Sequence, residues 1–122
     1  MERVYTEDAI RFMENGTEKA ALQEKVEGES IQISLSGAIS GDITHTLLDE
    51  MTALIVAGQG ITVNLESASY LAPSVMDTLL QMEKRLEEKG KIMRLIQMPQ
   101  PIYDDFKARG MHEMLEIEVK KA

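Results

Sequence analysis

The chain is 122 residues long, one domain's worth, and carries 21 acidic against 13 basic side chains for a formal charge of −8. With no cysteine it has neither a disulfide framework nor thiolate chemistry, and so acidic a surface repels nucleic acid unless a basic patch intervenes. No apolar run approaches the roughly 20 residues that span a bilayer, and the acidic, polar stretch 1–19 does not read as a signal peptide, so a reducing, cytoplasmic setting is expected.

The basic residues Lys84, Arg85, Lys89 and Lys91 alternate with Glu83, Glu87 and Glu88, the pattern of a solvated helix end rather than of a phosphate-binding patch. Tryptophan is absent and aromatic residues are few, which argues against base stacking. The nine methionines suit core filling first and an adaptable docking surface second.

In chain order, Ile10, Phe12 and Met13 ahead of Asn15-Gly16 fit either a strand or a short helix. Ala20, Leu22 and Val26 fit a strand that turns at Glu27-Gly28-Glu29 into an antiparallel partner, although helix formers in the same stretch leave a helix open. Residues 1–19 are therefore a segment without an assigned structure, and 20–122 the domain proper.

From Ile31 the signals sharpen. Ile31, Ile33 and Leu35 alternate with Gln32, Ser34 and Ser36, predicting a half-buried strand punctuated by Gly37. Ile43, Leu47, Leu48, Met51, Leu54 and Ile55 recur at helical spacing over about Asp42–Ala57, and Gly58-Gln59-Gly60 stops that helix. Ile61, Val63 and Leu65 alternate again, and Ser67 and Ser69 read as turn residues before the next helix. That helix opens at Pro73-Ser74, carries Val75, Met76, Leu79, Leu80, Met82 and Leu86, and meets a C-cap at Gly90. Ile92–Met98 is a strand buried on most of both faces. A short helix with Ile102 and Phe106 follows Pro99 and Pro101, and a strand near Leu115–Val119 closes the chain. Strands joined by helices run parallel with right-handed crossovers. The expectation is an α/β fold, a mixed sheet of four or five strands with three or four helices mainly on one face.

An opening hairpin followed by βα units resembles the STAS domain of anti-sigma factor antagonists. The resemblance runs from about Ala20 to Val119. It rests on Ile33-Ser34-Leu35-Ser36-Gly37, Val63-Asn64-Leu65, Tyr70-Leu71, Met76-Asp77-Thr78-Leu79-Leu80, Gly90 before Ile92–Leu95, and Phe106 with Arg109-Gly110-Met111. It implies a non-enzymatic module that docks a protein partner, an anti-sigma factor of the kinase-like ATPase type or another STAS protein, without a cofactor. The implied docking surface is Tyr70, Ala72, Pro73, Ser74, Val75, Met76 and Asp77, flanked by Gly37–Asp42, with Tyr70 and Met76 as contact residues.

Many members carry Asp-Ser-Ser-Gly at the start of the second helix, the first serine being phosphorylated. Here the stretch is Ala72-Pro73-Ser74-Val75, so proline stands where the acceptor would be. Ser74 remains either as a substitute phosphorylation site or as an N-cap in a capping box with Asp77. The resemblance thus implies docking without the usual switch.

Two rivals come from other classes. Asp42, His45 and Asp49 share a helix face and define a metal- or ligand-binding alternative, against which stands a solvated face with Asp42 favouring the helix dipole. A homo-oligomeric scaffold subunit is the other. Asp104 and Asp105 diverge by about 100° on a helix, so they read as first-turn acids rather than an acid–base pair, and His112 has no nucleophile near it in the sequence. Gly58-Gln59-Gly60 joins a helix to a strand, the wrong order for a phosphate loop. No catalytic residue and no metal ligand is expected.

Overall fold

The computed structural model describes residues 2–28, 30–58 and 60–121, so Glu29 of the expected turn and Gln59 of the expected helix stop lie outside the described residues. One sheet is built from β1 (Glu2–Tyr5), β2 (Ala9–Glu14), β3 (Thr17–Glu27), β4 (Ser30–Ile39), β5 (Gly60–Asn64), β6 (Ala68–Leu71), β7 (Met93–Met98) and β8 (Glu116–Val119). Among the described residues three α-helices accompany it: α1 (Thr44–Val56), α2 (Pro73–Glu88) and α3 (Gln100–Ala108). None is long and apolar enough to cross a membrane.

The strand order is β1-β2-β3-β4-β5-β7-β8, with β6 added beside β4. The first three neighbours pair antiparallel and the rest parallel. Register explains where the core lies. Ile33 stands against Val63, Val63 against Leu95, and Leu95 against Ile117. Because side chains alternate along a strand, this row and its even-spaced neighbours all point to one face. There they meet Leu47, Met51 and Ile55 of α1, Val75, Leu79, Met82 and Leu86 of α2, and Ile102 and Phe106 of α3 in one core. The other face carries half-buried Gln32, Ser34, Thr62 and Asn64 and exposed Arg94. Helices mainly on one face are what the clean alternation of β4 and β5 requires.

The sheet is larger than the four or five strands expected, for two separate reasons. At the N-terminus, Ile10 and Phe12 are buried while Arg11 between them is exposed, a period of two that decides for a strand. Asn15 and Gly16 both take positive φ, 52° and 77°, and make the two-residue turn that folds β2 onto β3. The helix formers in β3 are overruled by its ladder to β4, which runs from Ala20 opposite Gly37 to Glu27 opposite Ser30. β3 therefore runs through residues 19 and 20, and the core takes Phe12, 1% exposed, from the segment 1–19. β1 has no apolar alternation to betray it, since all four of its residues are exposed. The other addition, β6, is four residues long with only Ala68 and Leu71 buried, so Ser69 stands in a strand rather than a turn.

Six methionines, 51, 76, 82, 93, 98 and 111, are buried, and Met114 is exposed. Core filling is thus the main use of this residue here.

Gly37 is the tightest backbone position. It has φ +80°, and a Cβ there would collide with the carbonyl oxygen of Lys19 on the neighbouring strand. Gly37→Ala is expected to destabilise the fold by about 2–4 kcal/mol through strain and displaced pairing, read as a lower urea midpoint with unchanged slope. Phe12→Ala should cost about 3–5 kcal/mol in the same experiment. A change below about 0.5 kcal/mol, the size of a surface substitution, would show that β2 is not part of the cooperative core.

Candidate partner-docking site

The start of α2 is held by backbone on two sides. β6 pairs with the last turn-ward residues of β4, Tyr70 opposite Ala38 and Leu71 opposite Ile39, and the Ala72 N–H donates to the Ile39 carbonyl at 2.9 Å. Ala72, extended at φ −66° and ψ 150°, occupies the N-cap position without a side-chain cap, and Pro73 takes the first helical position. Proline suits that position because its φ is already helical and the N–H it lacks would have had no partner there. Pro73 is thus a helix starter.

Ser74 is therefore two residues past the N-cap, which corrects the capping-box expectation with Asp77. Its hydroxyl instead lies 3.1 Å from the Thr44 hydroxyl at the start of α1, and its carbonyl accepts from the Thr78 hydroxyl at 2.9 Å. Gly41 sits so close that a Cβ there would lie 3.4 Å from the Ser74 oxygen. The first turns of α1 and α2 are tied together at this point.

The predicted docking residues divide by exposure. Tyr70 is 47% exposed, and Pro73, Ser74 and Asp77 are exposed with it. Ala72, Val75 and Met76 are buried; Met76, at 1%, is a core side chain and not a free contact residue. It does form part of the floor of a groove of about 310 Å³, walled by Tyr70 and Pro73 on one side and by Asp105, Ala108 and Arg109 of α3 and its end on the other. Sequence reasoning missed this second wall. The signal was there in part, since 105, 108 and 109 share a helix face, but only the sheet order brings α3 beside β6.

The flank Gly37–Asp42 also adjoins the site. Ala38, Gly41 and Asp42 are exposed, and the chain from Gly41 to Ile43 forms a single 3-10 turn ahead of α1. Asp42 therefore precedes α1 rather than lying within it. His45 Nε2 and Asp49 Oδ2 are 3.8 Å apart on an open surface, their side chains 84% and 68% exposed. Among the described residues no three potential ligands gather for a metal ion. Asp104 and Asp105 lie beyond the first turn of α3, contrary to expectation, because the helix already begins at Gln100, whose side-chain amide donates to Asp104 at 2.9 Å. His112 packs edge-on against Tyr103, ring centroids 6.3 Å apart, a structural contact at the end of α3.

A second concavity, about 430 Å³, lies on the open face of the sheet over Ala21, Ser34 and Ser36. Arg11 and Glu18 at its border face each other at 3.5 Å. Small side chains on a twisted sheet produce such a trough.

No family model and no curated protein matches the sequence. Solved structures do match the fold. An anti-sigma factor antagonist from Mycobacterium paratuberculosis superposes with a TM-score of 0.73 at 11% identity, over 81% of this chain and 85% of that one. The anti-sigma factor antagonist SpoIIAA in its unphosphorylated form gives 0.71 at 16% identity, over 79% and 86%. The murine anion transporter Slc26a9 gives 0.62 at 9% identity, covering 80% of this chain but 17% of the transporter. The chain has the STAS fold, the fold of the anti-sigma factor antagonists.

Proposed function

We propose that the chain is a non-enzymatic regulatory module of the cytoplasm that docks a protein partner through the start of α2. The observation that carries this reading is the exposed quartet Tyr70, Pro73, Ser74 and Asp77 beside an open groove, mounted on backbone that β4 and β6 hold rigid. Rigid mounting suits docking because little conformational freedom is lost on binding. Tyr70 supplies a large, partly exposed ring of the kind that dominates binding energy at interfaces. The shared fold supports an anti-sigma factor, a kinase-like ATPase, as the partner.

Docking here proceeds without the serine switch. Position 73 offers no hydroxyl, and the Ser74 hydroxyl is engaged with Thr44. A phosphate added to Ser74 would sit on a helix N-terminus, which tolerates it, yet would bring nearly two charges and new bulk to the surface a partner approaches. The site is therefore constitutively presented, and a charge placed in it blocks docking rather than folding.

Capture from native lysate with identification of the bound protein tests this. Wild type is expected to retain an anti-sigma factor of the kinase-like ATPase type. Pro73→Glu and Ser74→Glu, both at positions where a helix accepts an acid, should each lower that capture by about tenfold or more, corresponding to about 1.4 kcal/mol. Tyr70→Ala should do the same, with melting temperatures of all three near wild type. Equal capture by wild type and all three variants would sink the assignment of this surface. Recovery of the chain alone, with light scattering reporting a closed oligomer, would replace it with a scaffold subunit.

A further inference from the structure

Glu24 lies on β3 opposite Ile33, so its side chain points to the helix-covered face. There it lines one cleft with Glu50 of α1. Ionised carboxylates only accept hydrogen bonds, so two of them can bond each other only with a proton between them. The Glu24 oxygen Oε1 is wholly buried and has no partner. The loop between β1 and β2 roofs the pair. A cleft of about 140 Å³ has Tyr5, Thr6, Glu7 and Asp8 around Glu24 and Glu50, and the Glu24 N–H donates to the Asp8 carbonyl at 2.9 Å. The titratable groups facing Glu24 are thus Glu50 from α1, Tyr5 from the end of β1, and Glu7 and Asp8 from the loop. No lysine, arginine or histidine lines the cleft among the described residues. Burial first, then the hydrogen bond to Glu50 and its charge, push Glu24 up to about 7.

We propose that Glu24 and Glu50 form a proton-operated clasp between β3 and α1, closed while Glu24 holds a proton it can share with Glu50 and opened when Glu24 ionises. The sign follows from linkage. Glu24 holds its proton longer in the folded chain than in the unfolded one, so the folded state binds more protons between pH 4.5 and about 7. Stability is therefore full below that window and is lost as pH rises through it. With Glu50, Glu7 and Asp8 alongside, ionisation of Glu24 adds a like charge that no described residue of the cleft offsets, and α1 separates from β3 most easily above neutrality.

The test combines carbon NMR titration of the side-chain carboxyls in the wild-type chain with thermal unfolding from about pH 5 to about pH 8, the span over which the linkage acts. Wild type is compared with Glu24→Gln and Glu50→Gln, each of which keeps a donor for the remaining carboxyl. Glu24 is expected to titrate with a midpoint near 7, and the wild-type melting temperature should fall across the window by several degrees more than that of either variant. The difference between profiles isolates the pair from every other titrating group. An ordinary carboxylate midpoint for Glu24, or pH profiles parallel in all three proteins, would overturn the clasp. If a variant does not fold, the wild-type titration decides alone.

Discussion

Everything in this fold is arranged around β4, which is paired on both edges. Along one edge it carries β3 from Ser30 to Gly37, antiparallel. Along the other it carries two strands in succession, β5 against Ser30–Ser34 and β6 against Gly37–Ile39, both parallel. One edge shared by two consecutive strands forces the chain to leave β5, turn and rejoin. The turn is visible in its hydrogen bonds: the Glu66 N–H donates to the Asn64 side chain at 2.9 Å, the Ala68 N–H to the Leu65 carbonyl at 3.0 Å, and the Gly37 N–H to the Ser67 carbonyl at 2.9 Å. The irregularity in the β4–β6 register falls between Gly37 and Ala38, where φ is +80° and where no Cβ fits. A single glycine thus lets β4 serve both partners.

The proposed docking surface is a consequence of that sharing. Because β6 ends beside the end of β4, α2 starts at the edge of the sheet rather than over it. Its first exposed residues then stand next to the 3-10 turn that opens α1. The first turn of a helix has free N–H groups and a partial positive charge, so it is the natural place for a surface to be read or altered electrostatically. Proline at the first helical position keeps the helix start and offers no hydroxyl there. Shape and switch are separable here, since one depends on backbone pairing and the other on a single hydroxyl.

The readable part of the sequence is the part governed by short-range periodicity. β4, α1, β5, α2, β7 and α3 all carry apolar spacing that has one structural solution, and the alternation in β4 and β5 also told which face the helices cover. What was not readable depends on partners distant in sequence. β1 has four exposed residues and owes its existence to β2. β6 has four residues and owes its existence to the far half of β4. Met76 could be placed on α2 but not assigned inward or outward, because the stripe of α2 is broad enough to include it either way. Of the two readings open for Ser74, the cap fails because helix starts are set by where the backbone is held, here by the Ile39 carbonyl, and not only by which hydroxyl is at hand.

The same logic explains an acidic pair inside an otherwise regular core. Position 24 lies on the inward parity of β3, between Leu22 and Val26, where the alternation calls for an apolar side chain. Leu22 is 1% exposed, while Val26 at the end of the strand is 71% exposed, so Glu24 stands where the core gives way to solvent. A carboxyl there can remain partly covered only by holding a proton or meeting a cation, and its facing partner on α1 is a second carboxyl. The violation of pattern is local. Ile33 and Leu35 on β4, in register with positions 24 and 22, are completely packed, at 0% and 1% exposed. A break in binary patterning that the surrounding core does not share marks a position set by chemistry rather than by packing. Its chemistry reaches α1, the helix whose first residue, Thr44, touches Ser74. The charge state of the clasp and the geometry of the proposed docking surface therefore bear on one helix, at its middle and at its first residue.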